Sequence, residues 1–375
     1  MRTFISIMLL CLAPALTHAQ EESAAERITF EGKSWRVEAQ KAVIERYLDR
    51  DALVLAGGRI WLDDMVFEDG VIEFDVAFDE GTAFIGPMFR AENDSRFEEF
   101  YFRTHLSEKP DAVQYTPVEN GLSAWQIFSD ENAIAPIKLK FGAWNHVKIV
   151  VKGDMAEFYF NSDTPQLHVP DLKTDIRSGT VGHRSSGFDG AEARLSNLVF
   201  RPLRDDEGIV GAAKDTAPLP EGLISSWSVS APFAEAEVAD ALTLPQKTPA
   251  TLEWRDLEVE TNGIANLARL SGRTRDENTV FVRLDINSDS KQMKELTFGY
   301  SDRVRIYLNG KRVYFGDAGW TVRDYRFLGT VGFFDRVGLD LKKGDNEVMI
   351  AVSETFGGWA WAGAMEDQSQ ITLGR

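Results

Sequence analysis

The stretch FEEFYFRTHLSEKPDAVQYTP, residues 97–117, gathers side chains that could hold a polyhydroxylated ligand. Alternate residues of a strand share a face. Glu99, Tyr101, Arg103 and His105 would then line one face, with Phe100 and Phe102 on the other. Gln114, Tyr115, Asn120, Trp125 and Gln126 follow closely. An aromatic ring can cover the apolar face of a pyranose, while planar polar groups hold its hydroxyls. The same composition also suits a plain sheet surface stabilised by cross-strand pairs. The candidate ligand set is Tyr101, Arg103, His105, Gln114, Tyr115 and Trp125. His105 is the candidate for proton transfer, because an unperturbed imidazole titrates at about 6.5.

A second aromatic group lies near the C-terminus. Trp359 and Trp361 in FGGWAWAG fall on one strand face, and flanking glycines allow a bend or a close backbone approach. Together with Trp320 in GDAGWTVRDYRF they suggest a pocket at a loop end, so Trp320 and Trp359 join the ligand candidates. A sandwich core is expected to claim at least one of the Trp359–Trp361 pair.

Other chemistry finds less support. His105, His146, His168 and His183 follow no zinc spacing. GHRSSG around His183 is not the G-x-S-x-G turn of a serine hydrolase. Calcium needs only oxygen ligands, and NSDT or RDDEG could supply them, yet neither has an EF-hand pattern. No metal ligand and no cofactor is assigned, and a structural calcium ion stays without a site.

The elements that must position these residues read as strands. VIEFDVAF alternates Phe74, Val76 and Phe78 against Glu73 and Asp75. HVKIVVKG and AEFYF flank Gly153-Asp154, a hairpin turn. ARLSNLVF alternates again. Asn309-Gly310 in RVRIYLNGKRVYFG is the strongest short hairpin signal, since both turn positions need positive φ. VGLDLKKGDNEVMIAVSE gives two more strands. Short strands with close Gly, Asp and Asn punctuation predict an all-β chain of two antiparallel β-sandwiches. RPLRDDEGIVGAAKDTAPLPEGL, charged and proline-bearing, reads as a connector. The expected division is 28–202, a linker at 203–222, and 223–375.

The N-terminus carries Arg2, a short apolar run and Thr17-His18-Ala19, the pattern of a signal peptide over 1–19 cleaved near Ala19. The expected location is secreted or periplasmic. Cys11, the only cysteine, would leave with that segment, so neither disulfide nor thiolate chemistry is expected. A formal net charge of −18 disfavours nucleic acid, whose phosphates call for clustered Lys and Arg. No later apolar run is long enough for a membrane-spanning helix, so no membrane insertion is expected.

Residues 60–200 resemble the concanavalin A-like lectin/glucanase superfamily, in its laminin-G-like and 3-keto-disaccharide hydrolase-like forms. The carriers are FEDGVIEFDVAF, AFIGPMFRAEN, WNHVKIVVKGDMAEFYFN and GTVGHRSSGFDGAEARLSNLVF. Residues 300–352 resemble the galactose-binding-like β-sandwich, through VRIYLNGKRVY and LDLKKGDNEVMIAV. These resemblances imply two jelly rolls in series. Laminarinase-type members of the first superfamily carry E-x-D-x-x-E on one strand. Here Glu73-Phe74-Asp75-Val76-Ala77-Phe78 has Phe78 at the last position, so the acid/base carboxylate is missing. Glu73 and Asp75 therefore read as the polar face of a half-buried strand. The resemblance thus implies a secreted, lectin-like or accessory carbohydrate-binding protein. A glycoside hydrolase or 3-keto-glycoside cleaving enzyme is the alternative, as is a non-catalytic module with a protein partner.

Overall fold

A computed structural model describes residues 25–187, 191–245, 247–319, 322 and 330–374. Residues 1–24, where a signal peptide is expected, and Trp320 lie outside the described residues. The chain is all-β, with short helical turns between strands.

The first half forms one continuous antiparallel sheet. Its path runs Leu167–Val169, Met155–Phe160, Asn145–Lys152, Gly70–Phe78, Ala193–Arg201, Arg50–Phe67, Gly179–Gly187, Ala83–Asn93, Arg96–Arg103, Val113–Glu119 and Leu122–Ser123. Lys33–Tyr47 pairs alongside Arg50–Phe67. The path folds back on itself, so strands far apart in it meet across a core. Phe78 and Phe102 lie 5.3 Å apart between ring centres, Phe100 and Phe158 5.5 Å, and Phe102 and Phe160 5.7 Å. The alternation of Phe74, Val76 and Phe78 is the reason: each points inward and is fully buried. Burying a ring of this size contributes roughly 1.5–3 kcal/mol each.

The predicted turns form. Lys152 pairs with Met155 across Gly153, whose φ is +60°. Leu308 pairs with Lys311 across Asn309 and Gly310, at φ of +50° and +79°. That geometry needs a left-handed backbone, which asparagine and glycine tolerate best. The strands Asp335–Leu341 and Gly344–Ser353 also form, but they do not pair with each other. The first joins a four-stranded sheet with Gln292–Ser301, and the second a seven-stranded sheet between Thr279–Ser288 and Arg303–Leu308. The turn at Lys342-Lys343 thus crosses between layers. Trp227, Phe298, Trp359 and Trp361 fill the core between those two sheets.

The segment joining the halves lies against the first sheet. Glu157 is fully buried, and its Oε1 accepts the backbone N–H groups of Val210, at 2.9 Å, and Gly211. The halves also pack directly. Ala124, Ile127, Phe128 and Ala133 share a buried cluster with Ile264, Val331, Ala360 and Ala362.

Candidate functional site

Hydrogen-bonded register places one polar row across six strands of the first sheet. Glu38 stands opposite Arg59, Arg59 opposite Arg184, and Arg184 opposite Gly86. Tyr101 is paired with Gln114 on the far side of Gly86. A parallel row holds Trp61, Gly182, Met88, Glu99 and Thr116. The glycines are there for space. A Cβ at Gly182 would come within 2.6 Å of the Trp61 ring, and one at Gly86 within 1.9 Å of the Phe100 carbonyl oxygen.

The rows centre on Tyr101. The guanidinium carbons of Arg103 and Arg184 lie 4.9 and 4.8 Å from its ring centre, a cation–π arrangement. Its hydroxyl donates to Gln114 Oε1 at 3.0 Å and accepts from Arg103 Nη2 at 2.9 Å. Burial pushes the phenol up to about 12, so it stays protonated at neutral pH. The Gln114 amide nitrogen in turn donates to the carbonyls of Trp125, at 2.8 Å, and Phe128. The loop that carries Trp125 is therefore tied to the sheet beneath it.

Glu99 is the buried acid of this face. One oxygen accepts from Ser123 Oγ at 3.1 Å, and the other lies 3.2 Å from Arg184 Nε. Desolvation raises its pKa, and Arg184 opposes that rise. Arg184 makes this ion pair and no hydrogen bond among the described residues. Its other N–H groups are free to take a ligand.

The sequence-predicted residues fare differently. Tyr101, Arg103 and Gln114 come together, but they are buried, so Tyr101 cannot stack directly on a ligand. Tyr115 is on the opposite face. It pairs with Phe100, belongs to the hydrophobic core, and donates to Glu98 at 2.6 Å. Adjacent strand residues point to opposite faces, so Gln114 and Tyr115 cannot share one. His105 leaves the sheet in a short 3-10 turn, Thr104–Leu106, and is exposed with its ring 5.8 Å from Phe84. Desolvation and then Arg103 lower its pKa, which leaves it neutral at pH 7. Trp125 is half-buried, 6.3 Å from the ring of Phe356, which is 51% exposed. Trp359 is core: it is fully buried and its indole N–H donates to the Val352 carbonyl at 3.1 Å. Trp361 is buried with it, stacked on Phe298.

Sequence reasoning missed Arg59, Arg184, Phe84 and Phe356. The period-two pattern did put Glu99 beside Tyr101. Arg184 reaches them only through long-range strand pairing, which leaves no local signal. Two other groups turn out to be elsewhere. Asp75 is held on the outer face by Arg50 at 2.6 Å, Asn197 at 2.6 Å and His146 at 2.9 Å. His183 is packed among Trp35, Phe74 and Phe200, and desolvation drops its pKa to about 3. Among the described residues no three His, Cys, Asp or Glu side chains converge as metal ligands. Nor is any helix there long and apolar enough to cross a membrane.

No family model matches the chain, and no curated protein matches it. Solved structures are similar to part of it. A carbohydrate binding module from Bacillus subtilis is 17% identical, covers 44% of this chain and 92% of its own, and has a TM-score of 0.33. A Bacillus subtilis protein with a galectin-like fold is 15% identical, with 44% and 87% coverage and a TM-score of 0.33. A β-glucanase from Bacillus licheniformis is 9% identical, with 48% and 100% coverage and a TM-score of 0.32.

Proposed function

We propose that this protein is a secreted carbohydrate-binding protein that takes a glycan beside the Tyr101 row, between Arg184 and the Trp125–Phe356 rim. The observation that carries this reading is Arg184: a guanidinium braced on a buried tyrosine, with N–H groups open on a face edged by partly exposed aromatics. Arg184 would hold sugar hydroxyls, and Trp125 and Phe356 would cover an apolar sugar face. Ligand sites of this kind combine ring surface with a few placed polar groups.

Binding is favoured over bond cleavage by the carboxylates. Retaining and inverting glycosidases need two carboxyl groups flanking the bond. Glu99 is one buried carboxyl on this face. Glu38, the acid across the row, is engaged by Arg36 and by Arg59 at 2.7 Å. A glycan-panel assay on the full chain tests the reading. Selective binding that falls about tenfold in Trp125→Ala supports it, on the scale of one lost ring contact. A blank panel with folded protein, or binding unchanged in folded Trp125→Ala, rejects it.

A further inference from the structure

Close to the Trp125–Phe356 rim, the two halves meet at four buried, oxygen-bearing side chains. Gln126 comes from the first half, and Ser301, Asp302 and Glu354 from the second; each is at most 1% exposed. Ser301 Oγ lies 3.0 Å from Glu354 Oε2, 3.2 Å from Gln126 Oε1 and 3.4 Å from Asp302 Oδ1. All three neighbours are acceptors when the acids are ionised, and a hydroxyl carries a single proton. At least two of these oxygen–oxygen contacts then have no hydrogen between them.

The crowding does not end there. Glu354 Oε1 is buried without a hydrogen-bond partner, a costly position for a carboxylate. The remaining oxygens are well supplied. Asp302 Oδ2 accepts the backbone N–H groups of Thr355 at 2.9 Å and Phe356 at 3.0 Å, and Gln126 Oε1 accepts that of Gly358 at 2.6 Å. Burial and the neighbouring Asp302 hold the Glu354 carboxyl well above its usual range, with Arg273 opposing. Arg303, the next cation along, is engaged by Glu235 at 2.7 Å. Among the described residues, Arg273 opposes the charge of Glu354 and Arg303 that of Asp302, and neither donates a hydrogen bond to these two carboxylates.

We propose that Asp302, Glu354, Gln126 and Ser301 form a site for a hard divalent cation of the calcium class at the junction of the two halves. Such ions take oxygen ligands alone, from carboxylates, amide carbonyls and hydroxyls. Oxygens at about 2.4 Å from an ion sit roughly 3.4 Å apart at right angles, close to the spacings found here. Glu354 Oε1 gains its missing partner in the ion. The same ion fixes the Thr355–Phe356 backbone through Asp302, and so couples the halves.

The test uses the full chain freed of metal with EDTA, with calcium chloride as the probe, read by thermal melting and calorimetric titration. One saturable equivalent that raises Tm by several degrees is expected. Glu354→Gln and Asp302→Asn should each abolish that equivalent. Glu354→Gln should stay folded in EDTA, because its amide brings the hydrogens that the cluster lacks. Three results overturn the proposal. One is no saturable binding of calcium, magnesium or manganese at millimolar concentration. Another is an equivalent that survives both substitutions. The third is absent binding with a wild-type Tm that falls as pH rises, a fall lost in Glu354→Gln, which assigns the cluster to a shared proton.

Discussion

Glu98 and Glu99 are neighbours in sequence, both fully buried, and on opposite faces of one strand. Glu98 points into the sandwich. It accepts from the Tyr115 hydroxyl at 2.6 Å, the Thr174 hydroxyl at 2.7 Å and the Thr174 backbone N–H at 2.9 Å. Glu99 points to the ligand-candidate face, with one hydrogen bond from Ser123 and one ion pair to Arg184. A carboxyl surrounded by donors is committed to the fold. A carboxyl with spare capacity, beside an arginine with spare donors, is equipped for something outside the fold. The inner face should therefore control stability and the outer face binding.

The largest expected effect comes from the inner face. Glu98→Ala strands the Tyr115 hydroxyl and two Thr174 donors, and should cost roughly 3–5 kcal/mol in denaturant unfolding. A loss below about 1 kcal/mol would break the contrast. Next is His183, held neutral in the core with its pKa at about 3 against an ordinary 6.5. Between those values the unfolded chain binds a proton that the folded chain does not. Stability therefore rises with pH across this window and falls as pH drops through it, by about 1.4 kcal/mol per unit. His183→Phe should remove that slope and gain about 2 kcal/mol relative to wild type between pH 7 and pH 5. Parallel pH profiles for the two proteins would rule this out.

The smallest effect on stability should come from the outer face. Arg184→Ala leaves a buried Glu99 oxygen without its cation, but Glu99 keeps its Ser123 hydrogen bond and can take up a proton, so unfolding should change by about 1–2 kcal/mol. Glycan affinity should nevertheless fall about tenfold. The reverse pattern, stability lost and affinity kept, would make Arg184 a structural residue and sharpen the search toward Trp125 and Phe356.

The legibility of this chain follows the same divide. Strand period and turn chemistry are local, so Phe74–Phe78, the Gly153 hairpin and the Asn309-Gly310 hairpin were readable. Tyr101, Arg103 and Gln114 were readable too, because a strand and its hairpin partner set their face. Tyr115 was misplaced through its company in sequence, although strict alternation sends it inward with Phe100. His105 followed the alternation one step past the end of the strand at Arg103. Trp359 was ambiguous because a core ring and a ligand ring look identical until depth is known. Arg184 and Phe356 had no local signal at all: one arrives through pairing between distant strands, the other from the opposite half of the chain.

Glu157 carries a mechanical consequence. A slack tether between two bodies stretches under load before either body feels it. Here the connecting segment is clasped by a buried carboxylate partway along its length. Tension arriving along this segment from the second half would meet the first sandwich at Lys214, held by Asn132, and then at Val210 and Gly211, leaving only the stretch beyond Lys214 to act as the spring.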